Sequence, residues 1–175
     1  MSAGAAEEQA RYAREQAQAA ARANELTRQQ MDREEARIRK AAADEESTAL
    51  REAEKVRLAC GDNGGSVVVS ITNNGMRSVT EVELLEVRAL QDGPWVDWSV
   101  NRNLTGGPPA RTARSILGPR EEMEVATWLL DGNGQHVRGL PDAVEALVRF
   151  RDEGGRWWQV TDGDEPRTQV GPPGG

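Results

Sequence analysis

The chain has 175 residues, of which 22 are Lys or Arg and 29 are Asp or Glu, so its formal net charge is −7. This acidic balance, without any run of Arg or Lys, lacks the basic footprint of a nucleic-acid-binding domain, so we expect no nucleic-acid partner. We find no stretch of about 18 apolar residues and no charged segment followed by an apolar one at the N-terminus. The single cysteine cannot form an internal disulfide, and together these features predict a cytoplasmic protein without a membrane span.

Glycine and proline divide the chain near residue 60. The first 60 residues contain one glycine and no proline, whereas the rest contain the other 17 glycines and all eight prolines. Basic and acidic residues nearly balance in the first part, at 11 against 12, but stand at 11 against 17 in the second. We therefore predict a helical arm over residues 1–60, an acidic globular domain over 61–165 and a disordered Gly/Pro tail over 166–175.

The helical arm is predicted because residues 5–59 are almost all strong helix formers, chiefly Ala, Glu, Gln and Arg. Its large apolar residues are sparse, but one seven-residue spacing defines a candidate oligomerisation seam. This seam consists of Met31, Ile38, Ala42, Ala49 and Val56. Glu45 and Glu52 interrupt it, and a second series of Tyr12, Ala19 and Leu26 is out of phase with it. The pattern favours a weak coiled coil, formed with itself or with a protein partner, over a solvated single helix.

Beyond residue 60 the apolar spacing changes from helical to alternating. Short valine-rich and mixed apolar segments alternate with Gly, Asn, Asp and Pro turns, and they predict about seven strands. The candidates are residues 67–72, 79–90, 95–100, 112–117, 122–129, 144–150 and 156–161. Leu84-Leu85 shifts the phase of the second candidate, as a β-bulge would. The predicted fold class is α+β, with a long N-terminal helix followed by an antiparallel immunoglobulin-like β-sandwich.

Four features of the second part carry a resemblance. A valine-rich strand ends in Asn73-Asn74-Gly75, a long alternating strand covers residues 79–90, a turn precedes residues 121–125, and a strand-turn-strand covers 148–158. This succession resembles immunoglobulin-like and fibronectin-type-III-like bacterial domains. With the arm and the Arg-rich composition, the chain is similar to actinobacterial proteins that join a coiled-coil-like helix to such a sandwich. The resemblance implies a fold and leaves the function open.

The motifs of catalysis and cofactor binding are missing from the sequence. The one histidine, His136, follows the turn at residues 131–134, where we expect a solvated loop residue. Neither a nucleophile elbow nor a phosphate loop occurs, and a hairpin turn explains Gly132-x-Gly134 better than a dinucleotide fingerprint does. The acidic turn at residues 162–165 lacks the alternating carboxylates of a calcium loop. We therefore expect a protein that is not an enzyme and that holds no cofactor or metal.

Tryptophan supplies the other candidate site. Trp95 lies close to Trp98, and Trp157 is followed by Trp158. Because neighbouring residues of a strand point to opposite faces, Trp157 and Trp158 cannot both enter one core, and we expect one of them to face outward. An outward ring either packs on a neighbouring segment or forms a protein-binding patch, since Trp is enriched at binding hot spots.

Three functions fit these observations. The leading hypothesis is a structural or protein-interaction protein whose arm oligomerises or docks and whose sandwich presents a binding surface. The second is a structural component of a phage or injection-type particle. The third is a small-molecule or sugar-binding module that uses stacked tryptophans.

Overall fold

The computed structural model describes residues 3–102, 111–162 and 168–170. In chain order the elements are α1 (Ala3–Ala53), β1 (Val56–Asn63), β2 (Ser66–Asn73), β3 (Val79–Ala89), β4 (Asp97–Val100), β5 (Ala113–Leu117), β6 (Glu122–Leu130), β7 (Val144–Arg151), β8 (Trp157–Thr161) and β9 (Thr168–Val170). The chain forms two compact units, Met1–Ser47 and Thr48–Gly175, and α1 runs across their boundary. The predicted long N-terminal helix is confirmed.

The helix ends at Ala53, earlier than its helix-forming composition predicts. From Val56 the chain is a strand, and Val56, Leu58 and Cys60 are more buried than the residues between them. This strand, β1, pairs with β2 from Val56 opposite Asn73 to Asn63 opposite Ser66. Pairing with β2 and burial of Val56 outweigh local helix propensity, which is worth only a fraction of a kcal/mol per residue. The prediction of helix over residues 56–59 is therefore wrong.

The last turn of α1 is fixed to the turn between β2 and β3. One carboxylate oxygen of Glu52 lies 2.6 Å from Lys55 Nζ, and the other accepts a hydrogen bond from the backbone N–H of Met76 at 3.4 Å. These contacts lower the pKa of Glu52, with the Lys55 hydrogen bond as the largest cause. The backbone N–H of Asn74 also donates to the carbonyl of Lys55 at 3.0 Å. Residues 48–53 thus belong to the compact unit of the sandwich.

The nine strands of the described residues form two antiparallel sheets, with the orders β1-β2-β6-β4 and β5-β3-β7-β8-β9. An immunoglobulin constant-type domain has the orders A-B-E-D and C-F-G. Strands β1, β2, β3, β6, β7 and β8 occupy the places of A, B, C, E, F and G, and β4 takes the place of D. The predicted immunoglobulin-like sandwich is confirmed.

Strands β5 and β9 are additions to this seven-strand plan. All seven predicted strands are present, and the two that were not predicted are β1 and β9. β1 lies in the segment predicted as helix, and β9 lies in the predicted disordered tail, where Thr168 pairs with Gln159 of β8. Of that tail, residues 166–167 and 171–175 lie outside the described part of the chain.

The core lies between the two sheets and is built from alternate residues of their strands. From residue 67 to residue 73 of β2 and throughout β6, every second side chain is buried, as the sequence pattern predicts. The largest fully buried apolar side chains are Val56, Val67, Val69, Ile71, Val82, Val87, Leu117, Val125, Leu129, Val148 and Phe150. The phase change at Leu84-Leu85 is a β-bulge, because Leu84 pairs with Val148 whereas Glu86 pairs with Leu147. The predicted bulge is confirmed.

One flank of the sandwich is only partly closed. β5 covers residues 79–83 of β3, and β4 covers residues 127–130 of β6. Among the described residues, no strand pairs on this side with residues 86–89 of β3 or with residues 122–124 of β6. Within the described part of the chain, these two short strand edges therefore have no strand partner on this flank.

Within the described ranges, no helix is both long enough and apolar enough to cross a membrane.

Candidate functional site

The predicted oligomerisation seam divides between the two units. Met31 and Ile38 lie on the exposed part of α1, where their side chains are 62% and 60% exposed, and Ala42 is exposed there as well. Ala49 instead packs against the sandwich core, and Val56 is fully buried in it. Val56 therefore cannot contact a partner helix, since its side chain is already enclosed by the sheets. Three of the five predicted residues remain on an accessible helix surface.

The two other large apolar residues predicted on the arm are also exposed. Tyr12 is 65% exposed and Leu26 is 60% exposed. The helix also carries ion pairs between its own side chains, such as Arg39 with Glu35 at 3.1 Å and Arg11 with Glu15 at 3.8 Å. Such exposed pairs at i, i+4 spacing stabilise a helix by about 0.3–0.5 kcal/mol each. Helices of globular proteins are normally stabilised by burying apolar side chains, so the exposed apolar side chains of α1 form a candidate binding surface.

Trp157 and Trp158 point to opposite faces of β8, but neither ring is exposed. Trp158 belongs to the core and its indole N–H donates to Asp152 Oδ2 at 2.9 Å. Trp157 is 8% exposed, because the guanidinium of Arg149 covers its ring at 5.1 Å. Arg149 is itself held by Glu83 at 2.6 Å. One ring, that of Trp157, does point away from the core as expected. Arg149 covers this ring, so it is not an open binding patch.

Trp95 and Trp98 are half-buried beside the partly closed flank. The indole N–H of Trp95 donates to the carbonyl of Gly139 at 2.8 Å, and Trp98 lies on the edge strand β4. With residues 86–89 of β3 they line a small cleft of about 170 Å³. Two exposed apolar side chains, Leu90 and Val96, lie next to this segment in the chain. Trp95 and Trp98 therefore remain candidates for a binding surface, separate from Trp157 and Trp158 on the other sheet.

A second cleft on the same flank was not predicted. It has a volume of about 550 Å³ and lies between β5 and the start of β6. Its polar lining comes from both strands, namely Arg111, Arg114, Ser115, Glu122 and Glu124. Arg114 crosses from β5 to the carboxylate of Glu121 at 2.6 Å and to the carbonyl of Glu122 at 3.2 Å. The packing of the two sheets places β5 beside β6 and so creates this cleft, which no local sequence pattern could have indicated.

A third cleft lies at the end of the sandwich where β1 and β8 meet the segment before β7. Its volume is about 540 Å³, and Asp62, Asp142 and Asp162 line it together with Arg138. Cys60 also lines it, and burial raises the pKa of this thiol to about 12, with a further contribution from its hydrogen bond to Asp162. The thiol is therefore protonated at neutral pH, so it is a poor nucleophile and a poor metal ligand.

His136 is not the solvated loop residue that the sequence predicts. It is half-buried, its ring stacks on Trp128 with centroids 4.9 Å apart, and Nε2 lies 3.0 Å from the carbonyl oxygen of Gly65. The residue thus joins the β6–β7 loop to the β1–β2 hairpin. In the described part of the chain, no group of three or more His, Cys, Asp or Glu side chains is arranged to hold a metal ion.

The geometry of residues 131–135, which precede His136, supports the interpretation of this segment as a hairpin turn. Gly134 has a positive φ of 75°, and Asp131 Oδ1 accepts hydrogen bonds from the backbone N–H groups of Asn133 and Gln135. These two donors lower the pKa of Asp131, the one from Gln135 most. The geometry of this turn therefore explains the Gly132-x-Gly134 spacing without a dinucleotide-binding site.

Comparison of the chain with protein families, with curated proteins and with solved structures found no match.

Proposed function

We propose that this chain is a non-enzymatic protein-interaction protein whose helical arm binds another protein chain. The observation that supports the proposal is the exposure of Tyr12, Leu26, Met31 and Ile38, each 60–65% exposed on α1. Apolar side chains of this size normally gain about 1.5–3 kcal/mol each from full burial, so a partner helix would be bound through them. The sandwich would present a second surface, with the clefts beside Trp98 and Arg114 as its most structured parts.

The proposal is tested by placing charges on two faces of the same helix. Met31→Glu with Ile38→Glu places two carboxylates on the apolar face, whereas Ala36→Glu with Ala43→Glu places two carboxylates at the same spacing on the other side. We expect the first double variant to abolish self-association in sedimentation velocity, or capture of a protein from a host extract, and the second to retain it. If both variants behave like the unmodified chain in both assays, the arm is not a binding element.

The two alternative functions have different tests. A structural role in a phage or injection-type particle requires that the chain co-sediment with a large assembly. A sugar-binding role requires accessible tryptophan faces, and the ring of Trp157 is covered by Arg149. The cleft beside Trp95 and Trp98, at about 170 Å³, is smaller than the roughly 300–1,000 Å³ typical of small-molecule sites. The arm therefore carries the stronger proposal.

A further inference from the structure

The apolar residues of α1 form one stripe when they are arranged on an eleven-residue repeat. Residues 12, 23, 34 and 45 share one position of that repeat, and residues 16, 27, 38 and 49 share another. At about 3.67 residues per turn, Tyr12, Ala19, Met31, Ile38 and Ala42 lie within roughly 100° of one another. The two out-of-phase seven-residue series thus become a single surface, bordered by Leu26. We call this surface the arm stripe.

The two halves of the arm stripe differ in charge and in size. From residue 12 to residue 27 it contains only uncharged side chains, most of them small, namely Tyr12, Gln16, Ala19, Ala20, Ala23 and Thr27. From residue 30 to residue 45 it contains the large Met31 and Ile38 and two carboxylates, Glu34 and Glu45. If two arms pair, the interaction energy would therefore differ greatly between an arrangement that puts like halves together and one that puts opposite halves together.

We propose that the partner of the arm is a second copy of this chain, bound with its helix antiparallel. This inference rests on the proposed function of the arm. In a parallel pair in register, Glu34 and Glu45 would each lie beside their own copy. Although Glu34 lies 3.8 Å from Arg37 of its own helix, the two like-charged copies of each carboxylate would still repel as they lose water. In an antiparallel pair, each carboxylate faces the uncharged half of the other helix, and Met31 and Ile38 face its small residues. The arm stripe is complementary to itself only in this orientation.

Overall charge also favours a second arm as the occupant. Residues 3–53, which form α1, hold 9 basic and 11 acidic side chains, so two arms carry little net charge and repel each other little. Small residues at the contact allow two helix axes to approach to about 8–10 Å, and an eleven-residue repeat lets nearly straight helices stay in contact.

Cysteine cross-linking of the full chain distinguishes the two orientations. On a Cys60→Ser background, Gln16→Cys would form a disulfide-linked homodimer in a parallel pair. In an antiparallel pair the two positions 16 lie about 30–45 Å apart along the axis, at 1.5 Å per residue, and no such link forms. Mixing Gln16→Cys with Ile38→Cys, Ala42→Cys or Glu45→Cys should then give a cross-linked heterodimer with at least one of the three. Ala36→Cys, on the opposite side of α1, serves as the unreactive control.

Sedimentation equilibrium completes the experiment. We expect a dimer whose dissociation constant rises by at least about 100-fold in the Met31→Glu, Ile38→Glu variant, because four large apolar side chains lose their burial. A dimer that cross-links through Gln16→Cys alone overturns the antiparallel orientation. A dimer unaffected by the charged variant places the interface elsewhere and also overturns the inference.

A monomeric chain at every concentration overturns the inference as well, and the extract capture then decides the proposed function. If the arm captures another protein, and the Met31→Glu, Ile38→Glu variant does not, the proposed function survives with a different occupant. If nothing is captured through the arm, both fail.

Discussion

The side-chain amide of Asn73 donates a hydrogen bond to the backbone carbonyl of Leu117, 3.1 Å away, and so links the ends of two strands that belong to different sheets. The same amide nitrogen also lies 2.8 Å from the carbonyl of Arg77 and 3.2 Å from that of Gly118. Asn73 Oδ1 accepts from the backbone N–H of Gly75 at 2.9 Å, and the whole residue is 1% exposed. Asn73 is therefore a fully enclosed polar junction.

Replacing this junction should be costly. Asn73→Ala leaves several buried backbone groups without a partner, so we expect the free energy of unfolding to fall by about 3 kcal/mol. The neighbouring Asn74 is exposed, and Asn74→Ala should change stability by no more than about 0.5 kcal/mol. Urea unfolding followed by tryptophan fluorescence measures both. Equal effects of the two substitutions would show that the enclosed hydrogen bonds of Asn73 contribute nothing.

Val56 and Met31 should differ sharply, although both were predicted on one helix seam. Val56 is fully buried in the sandwich, so Val56→Ala should lower the free energy of unfolding of the sandwich by about 2 kcal/mol. Met31 is 62% exposed on α1, and Met31→Ala should lower it by less than about 0.5 kcal/mol. All five tryptophans lie in the compact unit that contains the sandwich, so their fluorescence reports on that unit. A small effect of Val56→Ala would contradict the assignment of β1.

The turn at residues 118–121 contains a strained residue. Arg120 has a φ of 61°, and the backbone N–H of Glu121 donates to the carbonyl of Gly118 at 3.1 Å, which with Pro119 defines a type II turn. Glycine is the residue that this position prefers. We expect Arg120→Gly to raise the free energy of unfolding by up to about 1 kcal/mol, and therefore to raise the midpoint of thermal unfolding. Arg120→Ala removes the same charge but keeps the strained φ, so it should give no gain, and an equal gain from both would implicate the charge.

The raised pKa of Cys60, about 12, predicts a slow thiol. At pH 8 its alkylation by iodoacetamide should be at least about 100-fold slower than that of free cysteine, because the thiolate is rare. The rate should keep rising as the pH is raised beyond 9 and should become ordinary in urea. Asp162→Asn removes one cause of the shift and should speed the reaction at pH 8. Asp62→Asn, in the same cleft, should not, and a fast reaction in the unmodified folded chain would contradict the assignment.

The strands that could be predicted from the sequence are those whose faces differ in polarity. In β6, Met123, Val125 and Leu129 are buried while their neighbours are not, and turns with Gly, Pro or Asn bound the strand. Segment 56–59 has no such signal, since its Val-Arg-Leu-Ala sequence also suits a helix. It becomes a strand because pairing with the edge of β2 and burial of Val56 in the core stabilise the extended conformation. Such pairing joins residues distant along the chain, so local pattern does not reveal it.

The candidate sites were predictable only in part, for a related reason. The exposed apolar residues of α1 follow from helical spacing, which is local. The enclosure of Trp157 depends on Arg149 and Glu83, which reach it from β7 and β3. The clefts of the partly closed flank depend on which halves of β3 and β6 have a strand partner on that side. These features are set by sheet order, which the sequence pattern left undetermined.

The continuity of α1 with β1 decides where this chain can be cut. Only Glu54 and Lys55 separate the two elements, and β1 shields one whole edge of β2. A fragment beginning at residue 61 would lose the partners of residues 69–73 and would leave Val69 and Ile71 beside unpaired backbone. Such an edge is a template for intermolecular sheet growth. A fragment that begins at the boundary in composition would thus aggregate, whereas a fragment that begins at Thr48 would keep the last turn of α1 together with the edge strand β1.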